Sequence, residues 1–178
     1  MFDYEKFKKD IVIAMENVLR KWTKENDDIY IISLDLSRSM ESVGVWANTG
    51  QCLNEQADIT SEDYWYYKYC EEEWQLCEVF DGISSYMRTF VEENKEQFTN
   101  SETLTYTEAF DAYCDKMIES CKLALKCFRE SINEEFPKLL LTFNIREYLD
   151  NDERIEAFSL INSKEATKEY MKHIDDFN

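Results

Sequence analysis

Six cysteines and a single histidine are the side chains best suited to metal or nucleophilic chemistry in this chain. Their spacing supports neither. Cys52, Cys70, Cys77, Cys114, Cys121 and Cys127 include no pair with the two-residue gap of a zinc knuckle or a redox motif. Cys114 and Cys121 stand seven apart in a helical pattern, which places both on one apolar face. Buried structural thiols are the expectation, since free cysteine behaves as a small hydrophobe. His173 falls in the last turn of a helix, where a cation is mildly favoured, and the sequence advertises no partners for a metal site or a triad around it.

Carboxylates are abundant, but 38 acidic side chains guarantee many accidental pairs. Asp150-Asn151-Asp152-Glu153 superficially suggests a calcium loop. It lacks the glycine and the distant glutamate of an EF-hand, so a hairpin tip is expected there. No Gly-x-Ser-x-Gly elbow exists to expose a serine nucleophile. Gly44, Gly50 and Gly82 stand far apart, so no glycine-rich phosphate loop can be written. Such loops bring backbone close to phosphate, which side chains block. No catalytic residue, metal site or cofactor is therefore expected, and the chain does not read as an enzyme.

The elements that must position any surface follow from periodicity. Residues 2–25 form an amphipathic helix, with Phe7, Ile11, Ala14 or Met15, Val18 and Trp22 at three- and four-residue steps. Residues 29–36 are apolar and β-branched, as in a mostly buried strand, and 42–49 read as its hairpin partner. Residues 50–63 suggest a loop with a short helical piece. The aromatic run 64–69 reads as a third strand, and helical spacing returns over 78–97. The longest helix is expected over 106–132, with Thr105 and Glu108 at capping-box spacing. A strand at 138–145, a turn at 146–152, an alternating strand at 153–161 and a helix at 163–174 capped by Asn162 and Glu165 complete the order. This predicts one α+β domain over residues 1–178. Its sheet is largely antiparallel, of about five strands, with helices packed on one side.

Charge is the most informative feature. The 178 residues hold 20 basic and 38 acidic side chains, net −18, yet 44% are hydrophobic and 15% aromatic. Such a chain can bury a core, unlike an acidic disordered tail. Its charge opposes binding to nucleic-acid phosphates or to an anionic membrane surface. No run of about 18 apolar residues exists to span a bilayer. The opening MFDYEKFKKDIVIAMENVLRKW lacks a signal peptide's apolar stretch, so a cytoplasmic protein with reduced thiols is expected.

The excess is concentrated in residues 50–120, which carry 17 acidic and 4 basic side chains. This stretch holds Tyr64, Trp65, Tyr67, Glu71, Glu72, Glu73 and Trp74, the candidate partner-binding residues. Carboxylates beside aromatics suit a basic protein partner, because charge steers encounter and aromatics anchor. The plainer alternative is a solvated acidic face that confers solubility. Strand alternation would also turn one of Trp65 and Tyr66 into the core.

A resemblance covers nearly the whole chain. The hairpin IYIISLDLSRSMESVGVWANTG, the aromatic element YWYYKYCEEEW, a long helix leading to PKLLLTFNI, and the terminal ERIEAFSLINSKEATKEYMKHI follow in that order. The chain resembles the bacterial domain-of-unknown-function family numbered 4303. The resemblance implies a small cytosolic bacterial protein associated with polymorphic-toxin immunity loci, and it carries no catalytic residues. The leading expectation is an acidic immunity or inhibitor-type domain that neutralises a basic toxin. A general adaptor with several weaker partners, and a carboxylate-based hydrolase using a divalent metal, are the alternatives.

Overall fold

The computed structural model describes residues 1–145 and 148–176. Helix α1 (Tyr4–Trp22) starts where Asp3 accepts the Lys6 N–H at 2.9 Å. It buries Phe7, Ile11, Met15, Val18 and Trp22, the stripe expected from its spacing. Strands β1 (Ile29–Leu36) and β2 (Val43–Thr49) form the expected antiparallel hairpin. Short helices α2 (Gly50–Gln56) and α3 (Tyr64–Tyr69) follow, then a 3-10 turn at Glu71–Glu73 and strand β3 (Leu76–Val79). Helices α4 (Asp81–Glu93), α5 (Lys95–Phe98) and α6 (Glu108–Ile132) lead to β4 (Leu140–Asn144). Helices α7 (Asn151–Ile161) and α8 (Lys164–His173) come last, ahead of a 3-10 turn at Ile174–Asp176.

The described strands form one sheet in the order β3-β2-β1-β4. Pairing is antiparallel except between β1 and β4, which run parallel. The sheet is thus mixed and four-stranded, not largely antiparallel with five strands. Two expected strands are helices. Residues 64–69 have strand-like composition, but Trp65 and Tyr69 lie one turn apart and both pack into a core under α3. Residues 153–161 alternate in polarity, yet a capping box starts α7: Asp150 accepts the Glu153 N–H at 2.9 Å, and Glu153 accepts the Asp150 N–H at 3.0 Å. Of the turn expected at 146–152, residues 146 and 147 lie outside the described residues, and the chain is helical from Asn151. The helix expected over 78–97 yields its first residues to β3 and is split at Asn94.

Helix caps also differ from expectation. Thr107 rather than Thr105 caps α6, and Ser163 rather than Asn162 caps α8. Asn162 has another task. Its side-chain amide donates to the Leu141 carbonyl at 2.6 Å and accepts the Leu141 N–H at 3.0 Å. It thereby bonds the outer backbone of β4 as a neighbouring strand would.

Helices cover both faces of the sheet, not one. Ile32, Leu34, Leu36, Val43, Val45, Ala47, Leu141 and Phe143 face α1, α4 and α6 in the main core. On the opposite face Ile31 lies in a smaller core with Tyr69, Trp74, Phe158, Tyr170 and Ile174. Ser33 and Thr142 are buried on that second face too. Helix α7 stands at the β4 edge and serves both cores, with Ala157 and Ile161 in one and Phe158 in the other. A helix buried on two sides loses the single apolar stripe by which helices are recognised.

Candidate functional site

Helix α3 and the 3-10 turn after it bring the seven candidate residues together on the sheet's second face, but not all on the surface. Trp65 anchors α3. Its ring stacks on His173 with centroids 3.7 Å apart and an interplanar angle of 13°. Tyr64 meets it edge-on at 5.1 Å. The Lys68 ammonium lies 4.9 Å from the Trp65 centroid, a cation–π distance, and pairs with Glu169 at 2.6 Å. Tyr69 donates its hydroxyl to the same Glu169 at 2.8 Å. Partial burial alone would raise the Glu169 pKa; the hydrogen bonds from Lys68 and Tyr69 outweigh it and hold the carboxyl below its usual range.

His173 is therefore the lid of an aromatic stack, and its Nδ1 lies 2.8 Å from Asp176. The Tyr66 hydroxyl donates to Glu73 at 3.1 Å, and the Tyr30 hydroxyl donates to the Lys68 carbonyl at 3.0 Å. The first bond ties α3 to the 3-10 turn and the second ties it to β1. Tyr64, Trp65 and Tyr67 are half-buried and Glu72 is exposed, with exposed Glu62 and Asp63 just before α3.

Glu71 and Trp74 are corrections to the expected surface. Glu71 is only 8% exposed and Trp74 4%. The Glu71 carboxylate accepts from Ser33 Oγ at 3.2 Å and from Asn144 Nδ2 at 3.4 Å, and it faces the Arg154 guanidinium at 4.0 Å. Burial pushes its pKa up, against the opposing pull of Arg154. Sequence reasoning missed this cluster because its members come from β1, the 3-10 turn, β4 and α7. No local spacing joins them. Trp74 Nε1 and Thr142 Oγ1 are buried nearby with no hydrogen-bond partner among the described residues.

No group of three or more His, Cys, Asp or Glu side chains among the described residues is placed to hold a metal ion. Burial raises the thiol pKa of Cys52, Cys70 and Cys121, and that of Cys114 to about 12. Such thiols are poor nucleophiles at neutral pH. What the arrangement can do is present an acidic, aromatic surface on a stiff support.

Residues 8–163 match the family described as a domain of unknown function, DUF4303. The chain belongs to that family. Neither a curated protein nor a solved structure matches it. The matched span of this DUF4303 domain takes in all four strands, α3 and the 3-10 turn that follows it, and ends at Ser163, the N-cap of α8. The His173 lid on Trp65 lies beyond it. No described helix is long and apolar enough to cross a membrane.

Proposed function

We propose that this DUF4303 domain is an acidic protein-binding domain of the immunity or inhibitor type, acting in the bacterial cytoplasm to neutralise a basic toxin domain. The observation that supports the reading is the placement of Glu62, Asp63 and Glu72 around half-exposed Tyr64, Trp65 and Tyr67. They lie in a stretch with 17 acidic and 4 basic side chains. Carboxylates steer a cationic partner to the surface, and the aromatic rings supply anchoring area once it arrives. A nuclease toxin is basic because it binds phosphates, and a row of carboxylates answers that pattern. The bonds from Tyr30 and Tyr66 keep α3 in place before a partner arrives, which lowers the ordering cost of binding.

Affinity capture from the source organism's lysate, at low and moderate salt, tests the reading. One basic protein, released as salt rises, is the expected result. Retention of nothing, or of many acidic and neutral proteins alike, would overturn it. With the partner in hand, Glu72→Lys/Glu73→Lys should slow association about tenfold or more at low salt. An unchanged on-rate would remove α3 and its turn from the interface.

A further inference from the structure

The two edges of the sheet are treated differently. At β4 the Asn162 amide occupies the outer N–H and C=O of Leu141. At β3 no further strand among the described residues pairs with the outer side. The Phe80 N–H donates to the Val43 carbonyl at 2.9 Å, which fixes the alternation along β3. Glu78 and Leu76 then turn their backbone groups toward β2, and Cys77 and Val79 turn theirs outward. Among the described residues, no backbone or side-chain group bonds these outward groups. An unpaired strand edge is a template for another strand, and proteins usually blunt it. Among the described residues, only the β4 edge carries such a block.

The surfaces flanking β3 differ in character. On the sheet's second face, Trp46 is half-exposed, Cys77 is exposed and Val79 is 55% exposed, beside a hollow of about 120 Å³. On the first face, a groove of about 450 Å³ runs between α1 and the start of α4. Asp10, Glu78 and Asp81 line it, with no lysine or arginine among its lining residues. Lys6 reaches Asp10 and Lys21 reaches Glu78 from outside the groove, while Asp81 makes no ion pair among the described residues.

We infer that β3 is a strand-addition site for an extended partner segment whose side chains alternate between basic and apolar. A strand laid along β3 would bond Cys77 and Val79. It would send one set of side chains over Trp46, Cys77 and Val79 and the other into the acidic groove, as period-two alternation requires. Beyond the charge of the partner, which it takes from the protein-binding reading, the inference stands on the edge geometry.

The test uses a capped hexapeptide of alternating lysine and valine at millimolar concentration, with the full chain labelled for NMR. Slower hydrogen exchange at the Cys77 and Val79 amides, and slower alkylation of Cys77, are expected. The same peptide N-methylated at alternate amides should do neither. Val79→Pro, which removes an outward N–H that an edge strand can lose, should abolish the effect without unfolding the chain. Unchanged Cys77 and Val79 amides, or equal protection by the N-methylated peptide, would overturn the inference whether or not the proline variant folds. A lysate partner bound equally by wild type and a folded Val79→Pro would also overturn strand addition while leaving the protein-binding reading intact. Protection of β3 by the peptide with no partner captured would do the reverse.

Discussion

Glu71 shows how one residue changes role when a turn is placed. In a run of three glutamates each member reads as surface. The 3-10 turn points the first inward over β1 and leaves the second in solvent. The inward carboxylate meets Ser33, Asn144 and Arg154, with Tyr170 and Glu72 also facing it. Its folded pKa is raised above the ordinary 4.5, chiefly by burial. Stability from this group is thus fully present below the unfolded pKa and is lost as pH rises through the folded one. Glu71→Gln, which mimics the protonated acid, should match the wild type near pH 4 and be the more stable of the two at pH 7 in urea melts. A less stable Gln variant at pH 7 would mean that Arg154 outweighs burial. The cysteines make a second residue-scale prediction. Cys77 and Cys127 are exposed and Cys114 and Cys121 buried. A thiol reagent should modify the first two in the native state and reach the others only on unfolding, as mass spectrometry of digested samples would show.

At the scale of elements, the sheet depends on two small contacts at its opposite sides. A Cβ on Gly44 would lie 2.6 Å from the Glu78 carbonyl oxygen, a backbone atom of β3 that cannot swing aside. Gly44→Ala should push β3 off the sheet and cost about 1–3 kcal/mol, typical of overpacking. Increased amide exchange confined to β2 and β3 would locate the damage. Asn162→Ala should leave the Leu141 N–H and C=O unbonded and cost about 1–3 kcal/mol. If aggregation also rises, the Asn162 amide is what keeps β4 from pairing with another molecule. The elements misread from sequence share a cause. Helices α3 and α7 are short, and each is stabilised by what it packs against: Trp65 on His173, Phe158 on Tyr170. Tertiary packing overrides β-propensity in such pieces. The Asp150–Glu153 spacing was a legible start signal for α7, and it reads as a helix once the calcium and hairpin readings are set aside.

For the whole molecule, a net charge of −18 implies self-repulsion in the folded state. Raising ionic strength from about 0.01 M to 0.15 M shortens the screening length from about 30 Å to 8 Å. The melting temperature should therefore rise over that range of sodium chloride. A flat or falling response would mean that ion pairs such as Lys21–Glu78 and Lys122–Glu156 contribute more than the repulsion does.

Composition and period were enough to establish an acidic α+β chain, the long helices α1 and α6, the β1–β2 hairpin and the buried Cys114 and Cys121. Each rests on a pattern repeated over neighbouring residues. The parallel joining of β1 to β4, the second helical layer, the burial of Glu71 and Trp74 and the open edge at β3 were decided by tertiary structure. They join residues as far apart as Ser33, Glu71, Asn144 and Arg154, and a contact across that distance leaves no period in the chain.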